Sequence, residues 1–452
     1  MHKFIKTVLF IPVIGITAFL ITGIINICQK KTIYPVINSQ VNSSFAKVST
    51  ILQNKCADCH GQNMANYPFY FKLPIASTII KKDIEHAQDI FLLTKEKLEG
   101  SEHFTHLQLV DLKGVAQRDS MPPFKYKVLH WNAFLSNLDR KTIIDWIDNQ
   151  KINNEFIAIT QNNQSNPDKI SLGKDLFFDQ RLSANDTISC ASCHSLTTGG
   201  VDNAKYSTGI NGQLGSINAP TVFNAAFNFA QFWDGRAANL KDQANGPVNN
   251  PKEMGSNWKE VIAKLVKDKT YTGNFAKIYN SPISSNNITD AIASYEETLI
   301  TPNSKFDQFL NGNKSALNNE ELAGYNLFVS EGCSACHNGI NLGSNSYQKM
   351  GRNHNYFKWR GNITANDFGR YNVTKAEKDK FWFKVPTLRN IELTYPYFHD
   401  GSIQSLGQAV KLMAKFELGK ELNNQQVNLI VQFLKTLTGQ YHNVNLTNKH
   451  PS

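Results

Sequence analysis

The sequence predicts a mostly α-helical protein with an N-terminal membrane-spanning helix followed by three domains, the last two an internal duplication. Runs such as LDRKTIIDWI, NEELAGYNLFV and NLIVQFLKTL carry apolar residues at three- and four-residue steps, the period of a helix packed on a core. The motif Cys-x-x-Cys-His occurs three times, and an uncharged apolar stretch precedes the first copy. A chain of 452 residues is longer than a single core usually spans.

The N-terminal helix is predicted from residues 8–28, VLFIPVIGITAFLITGIINIC, which carry no charge and have lysines on both sides. About twenty apolar residues are enough to span a bilayer. A cleaved signal peptide has a shorter apolar core that ends at small residues, whereas Ile27 precedes Cys28 here. We therefore predict an uncleaved anchor, whose orientation the flanking lysines leave open.

Polar stretches rich in Ser and Asn, such as TIYPVINSQVNSSFAK and TQNNQSNPD, divide the rest of the chain. Each resulting unit contains one Cys-x-x-Cys-His. The predicted segments are the anchor with its flanks at 1–31, a linker at 32–47, a first domain at 48–150, a second linker at 151–167, and two further domains at 168–310 and 311–445.

The last two domains share motifs in the same order. PTVFN at 220–224 matches PTLRN at 386–390, and FWDG at 232–235 matches FHDG at 398–401, so the two motifs are twelve residues apart in both copies. A shared spacing of this kind indicates an internal duplication, with two similar folds facing each other about a pseudo-twofold axis.

Charge gives a weaker indication of partners. The formal net charge is +10, but Lys and Arg are spread along the chain and no basic run is interleaved with aromatic residues. This pattern favours a mildly basic surface and argues against nucleic-acid binding.

The cysteine motifs predict covalently bound haem. Six of the seven cysteines lie in the three motifs, which disfavours a disulfide framework. Structural zinc needs two closely spaced ligand pairs, whereas the motifs here lie more than a hundred residues apart. A redox dithiol does not explain the His after each second Cys. Two thioethers to a porphyrin and an imidazole on its iron explain every position. The predicted attachment sites are Cys56 and Cys59, Cys190 and Cys193, and Cys333 and Cys336, with His60, His194 and His337 as iron ligands.

Three haem c groups also predict the location of the protein. Covalent attachment of this kind takes place outside the cytoplasmic membrane. We therefore expect a single-pass protein of the bacterial inner membrane, with its haem domains in the periplasm.

The sixth iron ligands are less clearly indicated. Met121, in the Pro-braced turn DSMPPF, is the candidate for the first haem. Met413 is the candidate for the third haem, although it also falls on an apolar helical stripe and a plain core role is about equally compatible with its spacing. Rival ligands for the first haem are Met64, His103, His106 and His130.

The middle haem has no obvious sixth ligand. No histidine lies between His194 and His337, so an open iron is the simplest interpretation. Trp233, Gln243 and Glu253 follow in the sequence. They are a redox-capable aromatic, a neutral hydrogen-bonding group and a candidate acid or base. Taken alone, each is more often an ordinary residue, namely a core Trp, a surface amide and a surface carboxylate.

Several motifs together resemble one family. ISCASCH, APTVFNAAFN, QFWDGRA, GPVNNPKEM, EGCSACHNG, TLRNIELTYPYFHDGS and AVKLMAKFELGKEL are similar to motifs of the bacterial dihaem cytochrome c peroxidases, over about residues 168–440. The anchor and the extra haem unit resemble the membrane-bound trihaem subgroup, some of whose members take electrons from quinols.

The resemblance implies a role for each candidate residue. The His194 haem is then the peroxidatic one, and the His337 haem with Met413 is the high-potential electron donor. Trp233 lies on the electron route, Glu253 moves the peroxide proton, and Gln243 helps to hold the bound oxygen. The resemblance also implies a calcium ion between the last two domains, bound by the side chain of Asn218 and the carbonyls of Thr394 and Pro396, and such oxygen ligands suit calcium.

One departure from the family has a functional implication. In many members a loop after the first dihaem motif carries a histidine that blocks the peroxidatic iron. Here this loop reads AKYSTGINGQLGS and has no histidine. We therefore expect the His194 haem to need no reductive activation.

The resulting prediction is a peroxidase that reduces hydrogen peroxide with electrons from quinol or a small cytochrome c. The alternatives are a trihaem electron carrier without substrate chemistry and a dihaem oxidase that acts on a partner protein.

Overall fold

The computed structural model describes residues 20–26, 43–62, 67–150, 156–160 and 166–447. These residues are mostly helical, as predicted. The chain folds into two compact units, residues 1–153 and 154–452. The finer division of the second unit at residues 310 and 311 stays a prediction.

The first unit is a small helical domain. Its core contains Phe45, Leu52 and Ile143, and Trp146 packs against the Phe45 ring at a centroid distance of 5.3 Å. Hydroxyl N-caps begin three of the described helices, at Thr94, Thr105 and Ser136. The helices are α1 at residues 20–26, α2 Ser43–Lys55, α3 Ala57–His60, α4 Pro74–Ile90, α5 Lys95–Glu99, α6 His106–Arg118, α7 Phe124–Lys127 and α8 Asn137–Asp148, with 3₁₀ turns at Phe69–Lys72 and Trp131–Ala133.

The second unit contains the remaining helices and four short strands. The α-helices are α9 Pro167–Phe178, α10 Cys190–Cys193, α11 Leu240–Gln243, α12 Asn245–Asn249, α13 Trp258–Leu265, α14 Lys269–Tyr279, α15 Ser285–Glu296, α16 Lys305–Leu310, α17 Asn319–Glu331, α18 Tyr356–Arg360, α19 Tyr371–Thr374, α20 Leu406–Leu418 and α21 Asn424–Lys435. The 3₁₀ turns are Gln180–Leu182, Ile210–Gly212, Ala225–Phe227, Lys314–Ala316, Cys333–Ala335, Ala365–Phe368, Glu377–Asp379 and Ile391–Leu393. Antiparallel pairs form between β1 Tyr347–Lys349 and β2 Trp382–Lys384, and between β3 Gln440–Tyr441 and β4 Val444–Asn445.

Local geometry recurs in the two halves of the second unit. The final Asn of each PTxxN motif has a positive φ, 62° at Asn224 and 59° at Asn390. Both side chains are fully buried and meet at one hydroxyl: their Nδ2 atoms donate to Thr301 Oγ1 at 2.7 and 3.0 Å. Matched loop motifs therefore converge on a single polar contact.

A close helix crossing also recurs. Gly173 on α9 faces the backbone of α15, and Gly324 on α17 faces the backbone of α21. At each glycine an added Cβ would overlap a carbonyl oxygen of the facing helix, at Ala291 and Leu429 respectively. The absence of a side chain lets each pair of helices pack backbone to backbone.

We expect Gly173→Ala to destabilise the second unit by about 1–3 kcal/mol, because the new methyl group forces the two helices apart. The matched control is Gly273→Ala on α14, where an added Cβ meets nothing within 4 Å. That change should stabilise by about 0.5–1 kcal/mol, since Ala is the better helix former. Urea unfolding of the haem-loaded variants measures both, and equal effects at the two glycines would contradict the packing argument.

The predicted anchor falls largely outside the described residues, which include only 20–26 of it. Within the described part of the chain, no helix is long and apolar enough to cross a membrane.

Candidate haem sites

The imidazoles of the three motifs share one arrangement. Nδ1 of His60 lies 2.7 Å from the Phe91 carbonyl oxygen, Nδ1 of His194 lies 3.3 Å from that of Gly200, and Nδ1 of His337 lies 3.1 Å from that of Leu342. A carbonyl only accepts, so each Nδ1 carries the hydrogen. The lone pair therefore sits on Nε2, which is the arrangement of a metal-ligating histidine.

Burial keeps these imidazoles neutral. It lowers the pKa of His60, of His194 and of His337, the last to about 4. A neutral imidazole is the form that binds iron. The residues present therefore fit a haem iron at each motif.

The motif cysteines fit covalent attachment better than thiol chemistry. None of the six forms a disulfide, although the two cysteines of each motif are three residues apart. Burial raises the pKa of the Cys193 thiol to about 11 and that of Cys333 to about 12. Thiols with such pKa values are poor nucleophiles at neutral pH. Cys28 lies outside the described residues.

One large cavity adjoins the third motif. It is lined by Cys333, Cys336 and His337, and Met413 of α20 reaches the same space. Apolar side chains complete the wall, among them Phe328, Leu406, Val410, Ile430 and Leu434. A mostly apolar slot with a histidine and a thioether suits a haem with His and Met ligands.

We expect Met413→His to lower the reduction potential of the His337 haem, because imidazole stabilises ferric iron more than a thioether does. Peroxide turnover should fall with it, since this haem is the predicted electron donor. A spectroelectrochemical titration measures the potential, and Met350→Leu, at another methionine lining the same cavity, is the control. If the reduction potential of the His337 haem is unchanged in Met413→His, Met413 is an ordinary core residue and not an iron ligand.

Trp233 connects the FWDG loop with this cavity. Its indole Nε1 donates to the Asn218 carbonyl at 2.8 Å, and its ring lies 6.3 Å from that of His399 at an interplanar angle of 70°. Both aromatic rings line the cavity of the third motif. The structure therefore places Trp233 beside the site of the His337 haem.

The predicted calcium ligands lie around the same cavity. Asn218 is buried, and its Nδ2 donates to the Ala204 carbonyl at 3.0 Å, so its Oδ1 is the atom left to bind a cation. Thr394 and Pro396 also line the cavity. No cluster of three His, Cys, Asp or Glu occurs in the described residues. Amide and carbonyl oxygens of this kind fit calcium.

The loop carrying Thr394 and Pro396 is held by a residue that sequence reasoning missed. Asn203 Nδ2 donates to the carbonyls of Leu393 and Tyr395, both at 2.8 Å. The surrounding sequence, GGVDN, does not indicate this contact, which joins segments about 190 residues apart.

Glu253 lies close to the second motif. Burial raises the pKa of its carboxyl, while Arg236 and the hydrogen bond from Asn250 Nδ2, 2.7 Å from Oε1, lower it in part. Its negative charge, after burial and Asp202, contributes to the raised pKa of Cys193. A half-buried carboxyl near a haem-attachment cysteine is suited to exchange protons.

The loop AKYSTGINGQLGS, which has no histidine, packs against the backbone of Glu253. The amide of Ile210 donates to the Glu253 carbonyl at 2.8 Å, and Gly209 lies too close to Lys252 and Glu253 to admit a Cβ. The loop and the Glu253 turn are therefore fixed together.

Other candidates are less clearly placed. Gln243 is half-buried at the end of α11, and Met121 is 41% exposed. Among the rivals for the first haem, His103 is exposed, His130 is buried, and Met64 lies outside the described residues. The sixth ligand of the first haem thus stays a prediction.

Comparisons with known proteins agree with this chemistry. A family model described as di-haem cytochrome c peroxidase matches residues 167–315, and one described as a haem-binding domain matches residues 17–149. A cytochrome c peroxidase of Escherichia coli is 44% identical over 414 residues, covering 87% of this chain and 88% of the relative. The chain belongs to the dihaem cytochrome c peroxidase family. As a member of this family it is a haem-dependent peroxidase.

A further relative and a solved structure extend the comparison. The cytochrome c551 peroxidase of Nitrosomonas europaea is 52% identical over 290 residues, covering 64% of this chain and 85% of that protein. Among solved structures, a MauG-like protein associated with microbial copper homeostasis aligns with a TM-score of 0.55 and 26% identity, over 63% of this chain and 93% of the other.

Proposed function

We propose that this peroxidase reduces hydrogen peroxide to water at the His194 haem, with electrons from membrane quinol passing through the haems of His60 and His337. The observation that carries the proposal is the threefold Nδ1 arrangement, at motifs whose other residues differ. It supports three iron sites of one kind. A small cytochrome c is the alternative donor.

The chain's own residues account for the proton work. When bound, haem supplies the redox chemistry that cleaves the oxygen–oxygen bond. Glu253 takes the proton from one peroxide oxygen and returns it to the other, and its raised pKa suits it to both steps. Gln243 would donate a hydrogen bond to the peroxide. Trp233, beside the cavity of the third motif, carries electrons between the two halves.

The recurring geometry in the second unit supports an internal duplication of two haem domains, 168–310 and 311–445. Asn224 and Asn390, which meet at Thr301, end the matched PTxxN motifs, and the two glycines begin a second matched pair, GKDLF at 173–177 and GYNLF at 324–328. Asn218, Thr394 and Pro396 are proposed to bind calcium between these halves.

A membrane location is also part of the proposal. The uncharged run at residues 8–28 supports a single-pass anchor in the inner membrane, with the haem domains in the periplasm. The anchor would keep the His60 haem close to a lipid-soluble donor.

The test is steady-state peroxide consumption by the full-length, haem-loaded protein with a reduced quinol analogue as sole donor and no prior reduction. We expect turnover without a lag, because the loop at residues 204–216 has no histidine to block the iron. If turnover occurs only with a small cytochrome c, that cytochrome and not quinol is the donor. No turnover with either would favour a trihaem electron carrier.

A further inference from the structure

A hydrogen-bonded cluster in the first unit has no assigned role. The Tyr126 hydroxyl donates to Asp58 Oδ2 at 2.5 Å, and the Tyr126 ring stacks on His130 with centroids 3.8 Å apart and planes 3° apart. The Tyr70 hydroxyl lies 3.2 Å from His130 Nε2. Asp58 lies within the CADCH motif, so the cluster reaches the site of the His60 haem.

The hydrogen bonds define the tautomer of the neutral His130 ring. Its Nδ1 lies 3.1 Å from the Tyr126 carbonyl oxygen, which only accepts, so Nδ1 carries the hydrogen. In the neutral ring Nε2 then accepts from the Tyr70 hydroxyl. His130 is 7% exposed, whereas Tyr70 is half-buried. A molecule arriving from outside therefore meets Tyr70 first and reaches His130 through it.

The two phenols hold their protons firmly. Burial, and then the charges of Asp58 and Cys59, raise the pKa of Tyr70 to about 12, and the same causes raise the pKa of Tyr126 further. Neither ionises at neutral pH. Tyr70 can therefore relay a proton, and His130 is the group that can store one.

The apolar helix α1 docks at this same point. Asn26 Nδ2 donates to the Leu129 carbonyl at 2.8 Å, and Gly23 lies so close to Trp131 that an added Cβ would come within 2.6 Å of Cζ2. Leu129 and Trp131 are the chain neighbours of His130. Outward-facing side chains of α1 are apolar and 43–55% exposed, namely Leu20, Ile21, Ile24 and Ile25.

We propose that Tyr70 and His130 form the site at which a membrane hydroquinone is oxidised. This inference rests on the proposed function, in which quinol is the donor. The surface next to α1 is apolar, the proton acceptor is buried behind a half-buried phenol, and the haem-attachment motif adjoins the cluster. These are the requirements for taking a proton and an electron from one lipid-soluble molecule.

The hydroquinone loses one proton and one electron in each step. A hydroquinone O–H bond breaks, its proton goes to the Tyr70 oxygen, and the Tyr70 proton passes to His130 Nε2. The electron would go to the ferric haem that Cys56 and Cys59 would hold, and this one-electron oxidant would then pass it on to the other haems. Once His130 has released its proton to solvent and the haem is ferric again, a second proton and a second electron would leave in the same way, so that quinol yields quinone, two protons and two electrons.

Anaerobic stopped-flow reduction of the full-length, haem-loaded protein by decylubiquinol tests the site. Tyr70→Phe removes the relay, and His130→Gln keeps a hydrogen-bonding side chain that cannot take a proton. We expect each to slow reduction at least about a hundredfold, the scale for losing a positioned proton acceptor. The matched controls Tyr67→Phe and His86→Gln, at exposed residues of the same unit, should reduce at the wild-type rate.

Binding provides a readout that does not depend on turnover. Fluorescence quenching of the non-reducing analogue 2-heptyl-4-hydroxyquinoline N-oxide should show about tenfold weaker binding to Tyr70→Phe, the value of one lost hydrogen bond. Reduction by ascorbate with a soluble mediator checks that the haems accept electrons in every variant.

The outcomes separate the two proposals. If quinol reduces the wild type and both variants at the same rate, the proposed site is wrong while quinol remains the donor. Failure of quinol to reduce wild type, while ascorbate does, would overturn the donor and the site together. An altered haem absorption spectrum in His130→Gln would make His130 an iron ligand and would also overturn the proton role.

Discussion

Glu253→Gln should lower peroxide turnover at least about a hundredfold with every haem still attached, the usual scale for losing a positioned acid or base. The amide keeps the size of the side chain and the contact with Asn250, but it cannot carry a proton. Steady-state peroxide consumption measures the loss, and the haem absorption spectrum verifies attachment. Glu320→Gln, at an exposed carboxyl of the same unit, is the control and should be silent.

The pH dependence of the wild type gives an independent check. Because burial raises the pKa of Glu253, its carboxylate is lost at a higher pH than that of an ordinary glutamate as the solution is acidified. Turnover should therefore fall on the acid side, and this limb should be missing from the residual activity of Glu253→Gln. Near-normal turnover in the variant would assign the proton work to another group.

Asp307→Ala should destabilise the second unit by about 3–5 kcal/mol, the cost of leaving a buried charge without its partner. Arg389 is 0% exposed, and its Nη1 donates to Asp307 Oδ1 at 2.7 Å. Its Nη2 donates to the Ile157 carbonyl at 3.0 Å and its Nε to that of Ile340 at 2.9 Å. The guanidinium has no route to solvent once the carboxylate is removed.

Urea unfolding measures the effect. Glu377→Ala, which removes a pair with Lys380 in which the glutamate is 73% exposed, should cost less than about 1 kcal/mol. The double variant Asp307→Leu with Arg389→Met should recover much of the loss, because two apolar groups leave no charge unpaired. A double variant as unstable as Asp307→Ala would show that shape, and not charge, decides the effect.

The sequence was sufficient for features encoded by local spacing. The helices α8, α17 and α21 follow the apolar periodicity of their segments, and each begins at a polar cap, Ser136, Asn318 and Asn423. Haem binding, which the family comparison supports, could be predicted because two cysteines and a histidine within five residues are matched to one porphyrin edge.

Contacts between distant segments could not be predicted. The carbonyl that accepts from His60 is 31 residues away, and that of His194 is 6 residues away, in loops whose course depends on the whole domain. The predicted linker at 151–167 contains a segment, residues 156–160, that packs in the second unit, with Ile159 buried and its amide bound to Asp307. Its polar neighbours in the sequence conceal this, since the partners are about 150 residues away.

The buried hydroxyl of Thr301 has a consequence for how the second unit unfolds. We propose that this unit consists of two repeated domains, and repeated domains often melt one after the other, since each has its own core. Here Asn224 from one half and Asn390 from the other share one acceptor atom, and neither amide has access to water. Opening one half therefore exposes an unsatisfied group in the other, so the two halves should melt in a single transition, and substitutions of the two asparagines should be strongly non-additive.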